Sequence, residues 1–454
     1  MSLKVGIDVG GTFTDFLVTE KGTEPIVHKV LSTPEDPSIA VLRGLSEIAG
    51  LEDPPRSLQA FAGDIETIVH GTTVTTNATL TRAGACSGLI TTAGVRDALE
   101  MRRGIREEQY NNRYTNVVPL VPRYRRIGVG GRLDREGREV EALSLDEVQA
   151  AVDLFRDEGV EAVSICFMNA FANARHEEQA ADLVRQALPD AYLSVSSKLL
   201  PSIRFYERVS TTVLNSYVGP ILERYLDRLQ ARLAEAGFSG LLMVMQSNGG
   251  VMAPDIAREK PALTLLSGPA AGPGAGLLYA GAHDWKNCIV IDMGGTSFEA
   301  ALVREEPVMV NEGVIDRHRI ALPMLGIHTI GAGGGSIGWI DQGGLLRMGP
   351  QSAGANPGPA AYGHGGRQPT TTDANLVLGY LDPEYFAGGR MPLDLPAARD
   401  AIAADVAEPL GLSVVEAAAG MYRVTCNNMA QGVREITIQR GYDPREFPLV
   451  VAGG

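Results

Sequence analysis

Cysteine is scarce: Cys86, Cys166, Cys288 and Cys426 are spread over 454 residues with no Cys-x-x-Cys pair, which excludes a disulfide-stapled scaffold. Cys166 and Cys288 fall in apolar, strand-like runs, the setting of buried reduced thiols, and this usage predicts a cytoplasmic protein. The seven histidines form no His-x-x-x-His or His/Cys cluster, so a structural zinc site is not expected. No cysteine has a base beside it in the sequence, which argues against cysteine-based nucleophilic hydrolysis. Positive charge is short as well: 40 Lys and Arg against 54 Asp and Glu leave a net charge of −14 and no basic face for nucleic acid. No secretory signal precedes the first motif. The most apolar stretch, Leu263 to Ala282, is broken by Gly268-Pro269 and Gly272-Pro273, which predicts a turn and a helix instead of a membrane span.

What remains is an ordinary globular composition, 44% hydrophobic and 21% charged, in a chain long enough for two or three domains. One segment occurs twice. Ile7-Asp-Val-Gly-Gly-Thr-Phe-Thr-Asp15 returns as Ile291-Asp-Met-Gly-Gly-Thr-Ser-Phe-Glu299. Each copy reads as an apolar strand ending in Asp, a Gly-Gly-Thr turn, then a second strand, with a carboxylate seven positions after the Asp. Two such hairpins predict two related domains facing each other across a cleft. The chemistry suits a nucleotide: Gly10, Gly11, Gly294 and Gly295 bring backbone N–H groups to phosphate oxygens, and Thr12 and Thr296 add hydroxyl donors. Asp8 and Asp292 would hold Mg²⁺ through water. Two plain hairpins would have no use for an Asp at the end of both apolar strands.

Elsewhere strand-like and helical runs alternate, the mark of α/β domains. Ile65–His70, Cys86–Thr91 and Glu161–Cys166 read as strands, and Ser144 with Glu147 as a capping box. Arg204 to Ala236 reads as a long helix or helix pair broken at Pro220. His70, ahead of Gly71-Thr72-Thr73, is either a core histidine or an acid–base group at a strand end, with Thr72 beside it as a nucleotide contact. Between Met101 and Gly137 the alternation lapses into an Arg- and Tyr-rich insertion. It is either a substrate or partner loop over the cleft or a solvated segment whose arginines pair with Glu107 and Glu108. A second irregular region spans 328–374: Gly333-Gly334-Gly335 offers close backbone approach to a ligand or a tight bend, and Gly349–Gly366 is too rich in Gly and Pro for regular structure. Asp373 is a helix cap or a cleft carboxylate.

Taken in order, Gly6–Asp15, His70–Asn77, Arg208–Asn215, Gln246–Gly250, Ser267–Pro269, Asp292–Ser297, Gly331–Ser336, Gly354–Gly366 and Gly441–Phe447 resemble the hydantoinase A/5-oxoprolinase family over essentially the whole chain. That family includes N-methylhydantoinase A-like proteins and is related to the ATP-binding subunits of acetone and acetophenone carboxylases. The resemblance implies two RNase H-like α/β domains of the actin, sugar-kinase and Hsp70 type around a nucleotide cleft, here divided as 1–200 and 201–454. It implies ATP and Mg²⁺, a small carbonyl substrate and a hydantoinase B-like partner subunit. Asp8 and Asp292 are then the metal ligands. Thr12, Asp15 and His70 join them as candidate catalytic groups, and Thr72, Gly333, Gly334 and Gly335 as nucleotide contacts. Glu299 stands where the family has Asp, and Ala361 where many relatives have Cys. The strand Leu449–Ala452 with Gly453 and Gly454 resembles the start of an adenosine-binding turn, which implies a C-terminally shortened form.

The reading is an ATP-dependent hydrolase subunit that activates the carbonyl oxygen of a cyclic amide by phosphoryl transfer, mostly through positioning and charge neutralisation. A ketone carboxylase subunit is the alternative within the enzyme class. A non-catalytic nucleotide-binding subunit is the alternative outside it.

Overall fold

The computed structural model describes residues 2–11, 13–33, 35–389 and 391–453. By contacts the chain forms two compact units, one of Met1–Gly268 with Val310–Met324, the other of Pro269–Met309 with Leu325–Gly454. The first unit thus extends past the sequence division at residue 200, because the helix Phe205–Glu235 packs on its sheets.

The first unit opens with the hairpin β1 (Leu3–Val9) and β2 (Phe13–Glu20), followed by β3 (Ile26–Leu31) and β4 (Ile65–Thr72). Alternation decides the faces: Leu3, Val5, Ile7 and Val9 are buried, which leaves Lys4, Gly6 and Asp8 on the other side. Phe16 and Val18 join the same core, and Gly44 of the helix Pro37–Leu51 leaves the space that the Phe16 ring fills. Next come β5 (Ser87–Thr92), β6 (Arg126–Val129), β7 (Ala162–Cys166) and β8 (Tyr192–Val195), an all-parallel sheet in the order β8-β7-β5-β6. Finally β9 (Leu241–Met245) and β10 (Val251–Met252) complete the first sheet in the order β10-β9-β4-β1-β2-β3.

Pro220 does not break the Phe205–Glu235 helix, which runs through it. Its first half packs Val209 and Val213 with Leu89 of the parallel sheet, and its second half packs Leu222, Leu226 and Leu229 on the first sheet. Burial on both sides of the proline offsets the lost N–H. Ser144 caps its helix by accepting from Glu147 N, but the Glu147 carboxylate accepts from Gly130 N at 2.6 Å, so the expected reciprocal box is half made.

In the second unit β11 (Asn287–Met293) and β12 (Phe298–Arg304) repeat the opening hairpin. β13 (Glu306–Pro307) and β14 (Ile327–Ile330) both pair with β12, and β15 (Leu449–Gly453) lies parallel to β11. The Gly/Pro-rich stretch is more regular than expected: Leu346–Ser352 is a strand paired with Ser336–Ile340, and Gly349, at φ +65°, lets it pass against the Gly331 carbonyl. Asp373 is a cap, accepting from Thr370 N and Oγ1 and from Ala361 N, and its burial raises its pKa.

Several arginines of the 101–137 insertion are paired, but mostly with carboxylates outside the segment instead of with Glu107 and Glu108. Arg102 meets Glu107, Arg103 meets Glu207 and Glu312, and Arg123 meets Asp97. The hydrogen bond from Arg102 pulls the Glu107 carboxyl down to about 2, and Arg317, from a hairpin far along the chain, adds a second guanidinium at 2.7 Å. Among the described residues no helix is long and apolar enough to cross a membrane.

Candidate functional site

The first hairpin turns tightly, with Gly10 N donating to Phe13 O at 3.0 Å. This register sets Asp8 opposite Asp15, and Asp15 opposite Lys29 on β3. On its other side Asp8 lies opposite Gly71 of β4. Cross-strand partners project to the same face, so Gly71, Asp8, Asp15 and Lys29 form one row across four strands. Lys29 Nζ is 2.6 Å from Asp15 Oδ1, a cation that the motif reading missed. Beyond Asp8 the turn is open: a Cβ on Gly11 would meet nothing within 4 Å. Thr12, a candidate ligand and catalytic group, lies outside the described residues.

The turn is backed by the segment after β4. Thr73 N and Oγ1 both donate to Val9 O, at 3.2 and 3.1 Å. A second loop holds that segment in turn: Ser267 Oγ donates to Thr72 O at 3.2 Å, and Leu266 N donates to Thr76 Oγ1 at 2.9 Å. Leu266 has φ +59°, a conformation that a bulky side chain keeps only when its surroundings hold it there. The role of Thr73 and Ser267 was not legible beyond their place in a motif.

His70 lies opposite Ile7, and therefore projects to the face of the sheet away from Asp8. It is fully buried, its Nε2 is 2.7 Å from the Tyr225 hydroxyl, and burial lowers its pKa to about 4. At neutral pH it is an uncharged core histidine. Thr72 is also fully buried, its hydroxyl accepting from Val74 N at 3.3 Å.

The second hairpin has the same register. Asp292 faces Glu299, and Gly294 N donates to Ser297 O at 2.9 Å. Glu299 lies opposite Thr329 on β14, where the first hairpin has Lys29, and accepts from Ser297 Oγ at 2.6 Å. The three glycines of the 328–374 region stack on this turn: Gly334 N donates to Gly294 O at 3.0 Å and Gly335 N to Gly295 O at 2.6 Å. A Cβ on Gly333 would come within 2.7 Å of the Gly295 and Thr296 backbone. The close approach predicted for these glycines is thus made to the Gly294–Thr296 turn itself. Gly453, at φ +97°, ends β15 beside Asp292, and Gly454 lies outside the described residues. A cavity of about 830 Å³ lined by Ile289, Ile291, Val433, Tyr442 and Phe447 sits on the opposite face of β11 from Asp292.

Among the described residues no group of three or more His, Cys, Asp or Glu is arranged to hold a metal. Each hairpin instead offers one aspartate at a strand end next to an open glycine turn. That donor set fits Mg²⁺, which keeps several waters and takes one or two carboxylates plus phosphate oxygens.

The patterns of known families match in two places: residues 4–188 match the hydantoinase/oxoprolinase N-terminal region and residues 208–454 match hydantoinase/oxoprolinase. The chain is 42% identical to caprolactamase subunit alpha of Pseudomonas jessenii, over 99% of this chain and 65% of that protein. It is 34% identical to the acetophenone carboxylase gamma subunit of Aromatoleum aromaticum, over 99% of this chain and 63% of that one. The chain therefore spans a little less than two thirds of the length of these relatives. Among solved structures, the ATP-dependent caprolactamase of P. jessenii superposes with a TM-score of 0.86 at 42% identity, covering 99% of this chain and 65% of that one. Nucleotide-free acetone carboxylase superposes with a TM-score of 0.87 at 29% identity, covering 98% and 64%. The fold is α/β of the actin-like ATPase type, as expected, and the chain belongs to the hydantoinase/oxoprolinase family.

Proposed function

We propose that this chain is the ATP-using part of an enzyme that opens a cyclic amide together with a hydantoinase B-like partner subunit. The observation that carries the reading is the Asp-Gly-Gly turn built twice in one register, each time with the aspartate beside an open turn. The likeness to an ATP-dependent caprolactamase supports it.

In each hairpin the aspartate, Asp8 or Asp292, would hold Mg²⁺, which would neutralise charge on the phosphates. Gly10 and Gly294 spend their N–H groups on closing the turns, so phosphate oxygens would be met by the backbone N–H groups of Gly11 and Thr12, or Gly295 and Thr296, and by the threonine hydroxyls. ATP as co-substrate would give its γ-phosphoryl group to the amide oxygen, so that amide, ATP and water would give amino acid, ADP and phosphate. Asp15, neutralised by Lys29, steadies the row behind Asp8 without adding net charge. Thr73 and Ser267 fix the first turn from behind, and Gly333–Gly335 fix the second. His70 contributes its bond to Tyr225 and no proton transfer.

A ketone carboxylase subunit is the second reading, favoured by the acetophenone carboxylase and acetone carboxylase likenesses. The test is ATP hydrolysis by the chain with its partner subunit, against caprolactam, 5-oxoproline, hydantoin and simple ketones, with and without bicarbonate. Stimulation by a cyclic amide alone is expected. A requirement for both ketone and bicarbonate replaces the first reading by the second, and no turnover with any of them overturns both.

A further inference from the structure

Both hairpins place two carboxylates directly across from each other, Asp8 with Asp15 and Asp292 with Glu299. Each aspartate places an oxygen toward the strand on its other side. Those strands, β4 and β15, run parallel to the aspartate strands, and each presents a glycine where the carboxylate arrives. A Cβ on Gly71 would lie 2.9 Å from Asp8 Oδ1, and a Cβ on Gly453 would lie 2.8 Å from Asp292 Oδ1. The registers are not the same, since Gly71 pairs with Asp8 itself but Gly453 pairs with Met293. Two different alignments thus reach one result, an empty spot beside the aspartate oxygen.

We propose that Gly71 is a positioning residue that sets the Asp8 carboxylate by having no side chain, and that Gly453 does the same for Asp292. The inference rests on the reading of Asp8 as a Mg²⁺-holding group. Gly71 is the cleaner case. Its other neighbours, Ile7 O at 3.6 Å and Asp8 Cγ at 3.7 Å, are at ordinary contact distance, so an alanine there displaces the carboxylate and little else. Gly453 also passes close to the Met293 carbonyl and sits at φ +97°, so a side chain there disturbs backbone as well. A ligand displaced by a few tenths of an ångström still folds and still carries its charge, but meets a hydrated cation in the wrong place.

The test measures ATP binding by calorimetry across a Mg²⁺ series, with melting temperatures, for the full chain and for Gly71→Ala, Asp8→Ala, the double variant and Gly6→Ala. Gly6 is a fold control on the same sheet, because a Cβ there would meet only Leu17 atoms, at 3.9 Å. Gly71→Ala is expected to need about tenfold more Mg²⁺ for half-maximal tightening of ATP binding, a typical loss for a misplaced ligand. Adding it to Asp8→Ala should change nothing further, since it acts only through that carboxylate. If Gly71→Ala lowers the melting temperature, the Asp8→Ala background should relieve it by removing the clash. A Mg²⁺ midpoint within twofold of wild type, or an additive loss in the double variant, overturns the role of Gly71 while Asp8→Ala still shifts the midpoint. If Asp8→Ala leaves the Mg²⁺ dependence unchanged, the reading of Asp8 itself fails.

Discussion

The two hairpins have the same face but different supports. In the first, side-chain hydroxyls do the holding: Thr73 clamps Val9 O, Ser267 clamps Thr72 O, and Thr76 accepts from a strained Leu266. In the second the work falls to backbone, with Gly334 and Gly335 donating straight to Gly294 and Gly295. The carboxylate opposite the aspartate is held differently too, by a lysine in one case and by a serine two residues back in the other. The Asp-Gly-Gly turn and its register recur where the scaffolding does not, and the proposed site rests on that shared part.

The hardest test of that equivalence is to remove the aspartates one at a time. Asp8→Ala and Asp292→Ala should each lower ATP turnover by about a thousandfold, the scale of losing one preorganised electrostatic group. Melting temperatures should stay close to wild type, because Asp8 is exposed and Asp292 is outside the apolar core. A loss of less than tenfold for one of them at unchanged stability would show that only one hairpin takes part in the chemistry.

A smaller effect separates the strands beside the aspartates. His70 on β4 lies opposite Ile7, and the matching position on β15, opposite Ile291, is Val451. Only the first sheet therefore carries a buried titrating group at this place. Burial takes the His70 pKa from 6.5 to about 4, so below pH 6.5 the unfolded chain binds a proton that the folded chain refuses. Stability contributed by neutral His70 is present in full above pH 6.5 and falls as the pH drops toward 4, by up to about 3 kcal/mol. His318, also of the first unit, titrates with the same sign in the same window. Urea unfolding at several pH values should show this slope, and His70→Val, copying Val451, should remove about half of it. An unchanged slope would place the acid sensitivity elsewhere.

Much of this was legible from the sequence because it is local. A strand ending in Asp, a Gly-Gly turn and a carboxylate seven residues on define a hairpin register without reference to the rest of the chain. What was missed is non-local. Lys29 reaches Asp15 only through the pairing of β3 with β2, and Arg317 reaches Glu107 from a hairpin of the 310–324 segment. The burial of His70 follows from its parity with Ile7 in the sheet, but its partner Tyr225 lies on a helix far along the chain. Pro220 misled because local propensity says nothing of a helix packed on two sheets.

The finest distinction between the hairpins is Lys29. Its pair with Asp15 is about four-tenths exposed on both sides, and such surface pairs contribute roughly 0.2–1 kcal/mol. Lys29→Met should therefore lower stability by less than about 1 kcal/mol and slow ATP turnover by no more than about fivefold, with the loss shrinking at high salt. The residue is paired with Asp15, the carboxylate across from Asp8. The reciprocal change, Thr329→Lys, places a cation opposite Glu299 and gives the second hairpin the charge row of the first. If that variant gains stability of similar size without losing turnover, the lysine is a local charge balance. If Lys29→Met instead cuts turnover a hundredfold at unchanged stability, the first hairpin uses its cation in the chemistry, and the two halves of the repeat are not interchangeable.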